Sequence, residues 1–285
     1  MKYKNLLPFL LIVLMGQAAK AQDNYLVAKS YFLHKGEKME ISLMGGSQFK
    51  DDDEYKYDAS KTAKFILYDG GKKTDLMKAA KDSAAPVLAT KIENAGLVMV
   101  EMVRKVPPTP IDRDVYAKYL GEEGLVKLAE TVNNSSQSNF REKKMCYLKT
   151  LVMIDKASGG EFDKQLGQEY ELTLKQNPYK LNYGDDLSGI LYYKGKPLKG
   201  AGVDIYVKVV SGNVYTERAT TNDKGEFSIT TIREGVYMLR SVRTVASTTN
   251  DADFDTIQTA FTFLFNSNND HTNDYRSFGL GDRHE

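Results

Sequence analysis

Histidine, cysteine and clustered carboxylates build most metal centres and active sites, and this chain is short of the first two. It carries three histidines and one cysteine in 285 residues. The densest ligand-like group is Asp270-His271 with Asp274, one imidazole and two carboxylates in a polar C-terminal stretch. Those three residues are the metal candidates, because imidazole with carboxylate support suits a divalent transition metal. A polar segment must first surrender conformational entropy to hold an ion, which weighs against them. His34 falls in a predicted turn, His34-Lys35-Gly36-Glu37, and reads as exposed. Asp51-Asp52-Asp53-Glu54 has the charge to attract a cation but lacks the glycine and distal glutamate of a calcium loop. It reads as a solvated run within an acidic loop over residues 51–58.

Catalytic patterns are missing from the sequence. There is no His-Glu-x-x-His, no Gly-x-Ser-x-Gly, no phosphate loop and no paired-cysteine site. Cys146 stands between Met145 and Tyr147 with no histidine beside it, so it reads as a buried structural thiol. As the single cysteine it excludes an intrachain disulfide. Glu122-Glu123 and Asp185-Asp186 are adjacent carboxylates, and neighbours on a helix or strand point apart, so neither is a ready acid/base pair. Arg141-Glu142 reads as a structural ion pair or a surface feature. No catalytic and no cofactor-binding residue is assigned, and the expected protein is non-enzymatic. Binding is left to the sandwich loops, to Arg233-Glu234 and to the tyrosine-rich strands.

The elements that must position these residues are strands. Eighteen tyrosines and no tryptophan make a β-leaning composition. A formal net charge of +1 argues against a nucleic-acid binder, for which a basic face is expected, and against strong pull to an anionic membrane. Lys2 and Lys4, the apolar run Leu6 to Met15 and Ala19-Lys20-Ala21 form a cleavable signal peptide over residues 1–21. The reading is export to a bacterial periplasm, cleavage after Ala21, and a mature chain from Gln22 that is not membrane-embedded.

The fold class is mainly β, with two β-sandwich-like domains, the N-terminal one carrying a short helical insertion. Residues 22–165 form the first domain, 166–265 the second, and 266–285 a polar tail. Strands are expected over residues 25–32, 38–44, 64–69, 86–90, 97–105 and 146–154, from period-2 alternation bounded by turn residues. Pro107-Pro108-Thr109-Pro110 should stop the ladder. Asp112 should cap a helix through Leu120, a second helical piece follows over residues 125–132, and residues 140–144 should start helical. In the second domain Val203, Ile205, Val207 and Val209 alternate with Asp204, Tyr206 and Lys208, one face inward and one outward. Ser211-Gly212-Asn213 and Asn222-Asp223-Lys224-Gly225 are turns, and a long last strand over residues 253–265 should reach back toward the first domain.

Two resemblances follow from these residues. The stretch from Gly195-Lys196-Pro197-Leu198 to Leu239 resembles transthyretin-like, carboxypeptidase-regulatory-like modules. Most of the mature chain is similar to a bacterial exported domain-of-unknown-function family, often described as periplasmic components of cobalt or nickel uptake systems. The shared features are Tyr25-Leu26, Gly36-Glu37, Tyr119-Leu120-Gly121-Glu122-Glu123-Gly124-Leu125, Arg141-Glu142, Leu148-Lys149-Thr150-Leu151, Asn177-Pro178 and Gly184-Asp185. That resemblance implies an envelope or membrane transport partner and a nickel or cobalt ligand. Members often carry histidine just after the signal peptide, where this chain has Gln22, Asp23 and Asn24. The alternative is an adhesion-like interaction module of the envelope.

Overall fold

The computed structural model describes residues 23–267. The expected signal peptide over residues 1–21 and the metal candidates Asp270, His271 and Asp274 lie outside the described residues.

The first half holds β1 (Asp23–Ala28), β2 (Phe32–Leu33), β3 (Lys38–Ser47), β4 (Lys50–Tyr55), β5 (Thr62–Asp69), β6 (Lys72–Asp75), β7 (Leu88–Lys91) and β8 (Gly96–Asp112). Helices α1 (Arg113–Glu122) and α2 (Val126–Asn133) follow, then β9 (Asn139–Ile154). The second half adds β10 (Tyr170–Leu174), β11 (Asp186–Tyr193), β12 (Lys196–Pro197), β13 (Gly202–Lys208), β14 (Val214–Thr220), β15 (Glu226–Thr230), β16 (Gly235–Ala246) and β17 (Phe254–Phe265).

These strands form three sheets. A nine-stranded sheet runs β14-β13-β16-β17-β9-β8-β5-β6, with β2 also on β9. A four-stranded sheet of β1, β3, β4 and β7 covers one face of it, and a four-stranded sheet of β10, β11, β12 and β15 covers the other. The parity of β17 shows both contacts. Gln258 and Thr262 face the first cover, where Thr262 Oγ1 donates to Leu26 O at 2.6 Å. Phe261 and Phe263 face the second, beside the Lys149 ammonium that donates to Leu172 O. The large sheet is therefore shared by two sandwiches. Residues 165 and 166 fall in the connection between β9 and β10, and β17 crosses back to pair in parallel with β9 from Phe254↔Glu142 to Thr262↔Thr150.

Helices α1 and α2 sit between β8 and β9, which otherwise form one long hairpin from Gly96↔Ile154 to Asp112↔Asn139. Asp112 Oδ1 accepts from the backbone N–H of Asp114 at 2.9 Å and of Val115 at 3.3 Å, the expected N-cap. Tyr116, Leu120, Val132, Phe140 and Phe254 close a small separate core beneath the helices.

Four expectations need correcting. The proline run does not end β8, because the pairing with β5 has already stopped at Thr62↔Arg104. Beyond that point one edge of β8 pairs with no strand among the described residues, so a residue without an N–H costs no ladder bond there. A bulge between Val106 and Thr109 takes up Pro107 and Pro108. The acidic run is a strand: Gln48 and Phe49 turn the chain at φ 60° and 58°, and β4 pairs back on β3. Charged side chains on such an edge discourage further strand addition. Residues 140–144 are extended, paired with β8 on one side and, from Glu142 onward, with β17 on the other. Finally, Asp204, Tyr206 and Lys208 are buried rather than solvent-facing, since the first cover sheet lies over them.

Candidate functional site

The face of the large sheet beneath β1 is polar where β8, β9, β16 and β17 meet. Period 2 places Phe140, Glu142, Lys144 and Cys146 of β9 on that face, and Cys146 pairs with Arg104 of β8 and Gln258 of β17. Gln258 stitches the free edge of β1 to the sheet, with Nε2 donating to Asn24 O at 2.8 Å and Oε1 accepting from Asn24 N at 3.4 Å.

Arg240 centres the inner part of this layer. It is 1% exposed and meets Asp23 Oδ1 at 2.6 Å, Glu123 Oε1 at 2.6 Å and Asp204 Oδ2 at 3.3 Å. Burial alone would pull its pKa down, but the Asp23 and Glu123 carboxylates outweigh it and hold the guanidinium well above its usual range. Burial raises Asp23 and Asp204 above the ordinary carboxylate value. Glu123 is the C-cap of α1, and its backbone O takes Arg218 Nη2 at 2.8 Å, so the helix end is bonded to the sheet through two arginines. Glu122 instead points to solvent near Lys118, as neighbouring positions must.

The outer part of the layer opens into a cavity of about 620 Å³. Its floor carries Asn24, Arg104, Glu142 and Lys144, and its walls carry Tyr55, Tyr57, Val106, Pro107 and Ile111. Glu142 Oε1 accepts from Thr256 Oγ1 at 2.5 Å and from Tyr116 Oη at 3.2 Å, and Lys144 Nζ lies 3.8 Å from Glu142 Oε2. Burial opposes the charge on Lys144, but Tyr119 and Glu142 prevail and its pKa is raised. A second cavity of about 750 Å³ lies beyond the bulge, with Lys105, Pro108, Lys143, Met145, Tyr193, Arg243 and Ile257 in its wall. Lys61, Val106, Pro107 and Lys144 border both. The bulge that accommodates the prolines is therefore the partition between the two cavities.

No histidine or cysteine is among the described residues lining either cavity. Cys146 is 0% exposed, and burial pushes its thiol up to about 11. His34 lies elsewhere, with Nδ1 2.9 Å from Asp155 Oδ1, and that hydrogen bond raises its pKa. Asp53 and Glu54 are exposed on β4. Arg141 and Glu142 diverge: Arg141 turns outward, its backbone N–H donating to Asp253 Oδ2 at 2.7 Å, while Glu142 turns into the cavity floor. Among the described residues, no three His, Cys, Asp or Glu side chains gather to hold a metal. Asp23 and Asn24 do not fit the nickel or cobalt role that the resemblance implies for the mature N-terminus. Asp23 is committed to Arg240 and Asn24 Oδ1 accepts from Arg104 Nη1, so two guanidinium cations stand where a metal would need donors.

Sequence reasoning missed Arg104, Lys144 and Asn24. A signal was present, since Glu142 and Lys144 share parity with Phe140 and Cys146, and charges in phase with a buried strand face mark a polar core.

A mainly β chain whose polar core opens into paired cavities is the class that fold and site define. The chain belongs to the family described as "Domain of unknown function (DUF4198)", whose model matches residues 19–244. No curated protein matches it. Among solved structures, a tetra-tandem repeat in the extending region of a large adhesion protein is similar at 12% identity and TM-score 0.23, covering 87% of this chain and 50% of that one. The chain thus spans half the length of that adhesion-protein structure. The D0-D1 domain of intimin is similar at 9% identity and TM-score 0.20, covering 86% of this chain and 98% of that one. Among the described residues, no helix is long and apolar enough to cross a membrane.

Proposed function

We propose that the mature protein is a non-enzymatic binding or accessory component of the bacterial periplasm, serving an envelope transport protein. On this reading the second half is a transthyretin-like scaffold, and ligand is held in the cavities on either side of Pro107. The observation that carries it is the floor of the first cavity, where Arg104 and Lys144 are buried and yet line an open space. Volumes of about 620 and 750 Å³ suit a small molecule.

The carboxylates there support binding over catalysis, because each is already engaged. Asp58 takes Ser60 and Lys61, Asp82 takes the backbone N–H of Ala59, and Glu142 takes Thr256 and Tyr116. Bonds donated by Ser60 and Lys61 hold Asp58 down at about 2, far from the range of a general acid.

A thermal-shift screen of envelope metabolites against the mature protein tests this reading. The expected result is a compound that raises the melting temperature and is recovered chemically unchanged. Consumption of the stabilising compound would refute the non-enzymatic part, and a screen without any stabilising compound would refute binding.

A further inference from the structure

Arg104 is a buried cation with no carboxylate in ion-pair contact among the described residues, Asp58 acting on it only across the cavity. It is 6% exposed, donates from Nη1 to Asn24 Oδ1, and lies 5.5 Å from the centroid of the Tyr55 ring. Among the described residues it makes no ion pair. Three other buried cations differ in this respect. Arg240 faces Asp23 and Glu123, Lys149 faces Glu171, and Lys144 faces Glu142. A guanidinium has five N–H donors, and among the described residues Asn24 Oδ1 is the one acceptor that Arg104 meets. Removing a charge from water without pairing it is costly, and burial pulls the Arg104 pKa below its usual value. A buried guanidinium that lines a cavity and lacks an ion-pair partner is a candidate binding group.

The rest of the wall narrows the ligand. Four cations (Lys56, Lys61, Arg104 and Lys144) and three carboxylates (Asp58, Asp82 and Glu142) line the cavity, so the site favours one negative charge over two. The planar fork of arginine matches a carboxylate through two parallel bonds. Above the floor, Asp82, Ser83 and Thr109 offer polar contacts between the apolar surfaces of Tyr55, Pro107 and Ile111. We infer that this cavity binds a small hydroxylated carboxylate, a sugar acid by chemical class, with its acid group paired to Arg104 and its hydroxyls against Asp82, Ser83 and Thr109. This inference rests on the binding reading above and specifies its ligand.

The test is calorimetric titration of the full mature chain with glucuronate, glucose and inorganic sulfate, on wild type, R104M and R104K. Glucuronate should bind wild type, and glucose should bind at least tenfold more weakly. R104M should weaken glucuronate by roughly thirtyfold or more, the loss for one partner of a buried charge pair. Free R104M should melt at or above the wild-type temperature, because it removes a buried charge that lacks a counter-ion. A purely structural arginine would not behave so. Should R104M fail to fold, R104K keeps the charge and loses the fork, and glucuronate should still weaken severalfold. Equal binding of glucuronate and glucose, or undiminished glucuronate binding by R104M, overturns the inference and leaves the binding reading standing. Tighter binding of sulfate than glucuronate overturns it in favour of an inorganic anion. No binding of any of the three probes, with R104M melting several degrees lower, overturns it by making Arg104 structural, and the metabolite screen then decides the binding reading separately.

Discussion

Arg240 of β16 closes on Asp23 at the start of β1 at 2.6 Å, both buried, so a guanidinium from the second half of the chain fixes the first described strand. Glu123 and Asp204 share the same guanidinium. Arg240→Met takes the cation from buried Asp23 and half-buried Glu123 and leaves Asp204 to Arg218 alone, and a loss of about 3–5 kcal/mol is expected. Glu123→Gln keeps Arg240 paired to Asp23 and should cost less, about 1.5–3 kcal/mol. Urea denaturation of the two variants measures both. An R240M protein within about 1 kcal/mol of wild type would show that the layer does not depend on the cation.

The same layer sets a pH dependence. Burial raises Asp23 and Asp204 above 3.8, so the folded state binds their protons more tightly than the unfolded state does. Their contribution is fully present below the unfolded value and is lost as pH rises through the folded one. Without Arg240 the raising is larger. The stability deficit of R240M should therefore be smaller at about pH 4 than at about pH 7. Denaturation curves at the two pH values read it directly, and a deficit that grows on acidification contradicts the assignment.

Lys149 and Glu171 form the corresponding pair on the opposite face, at 2.5 Å, but the two residues are not equivalent. Glu171 also accepts from the backbone N–H groups of Leu166, Gly167 and Gln168 at 2.6, 3.0 and 3.1 Å, so it organises the entry to β10. Lys149 adds one bond to Leu172 O. Glu171→Leu strands a buried ammonium and three N–H donors and should cost about 3–5 kcal/mol or more. Lys149→Met leaves the carboxylate its backbone donors and should cost about 1–3 kcal/mol. Equilibrium unfolding ranks them, and the reverse order would show that the loop does not need its acceptor.

Cys146 gives a chemical probe of the polar core. Its thiol is buried beside Gln258 Oε1 at 3.8 Å and burial pushes it up to about 11. It should resist a thiol-reactive disulfide reagent in the native protein and react fully in denaturant. Reaction at the rate of an unfolded peptide would mean that the layer beneath β1 opens readily.

Much of this architecture is legible in the sequence, and the failures share a cause. Asp112 announces the first helix, glycine-bearing turns announce the hairpins, and the length of the last strand announces a return to the first half. Alternation reports only whether a strand face is apolar. Asp204 and Lys208 look solvent-facing by that rule, and residues 140–144 look helical, yet Asp204, Lys208, Glu142 and Lys144 are all buried and pair with charged side chains or with main chain. The prolines of β8 look like a stop because the rule for them presumes a partner on both sides. The candidate site was hidden for the same reason. Arg104 sits between Val103 and Lys105 in an ordinary-looking strand, and its lack of an ion-pair partner among the described residues is a property of three dimensions.

The sharing of one sheet by both halves predicts that neither half folds alone. Phe261, Phe263, Leu264 and Phe265 of β17 are all 0% exposed, and each fully buried side chain of this kind contributes about 1.5–3 kcal/mol. Residues 22–165 by themselves lose this strand, and with it the parallel partner of β9 and the Gln258 and Thr262 side chains that satisfy Asn24 and Leu26 of β1. Residues 166–285 by themselves keep β16 paired with β17 but lose β9 from its other edge and the cover over Asp204 and Arg240. Each fragment should lack a cooperative thermal transition, and mixing the two should restore one transition near that of the full mature chain. Scanning calorimetry of the fragments and of their mixture distinguishes the cases. Two independent transitions in separately expressed halves would show that the shared sheet is an interface between self-sufficient domains rather than a common core.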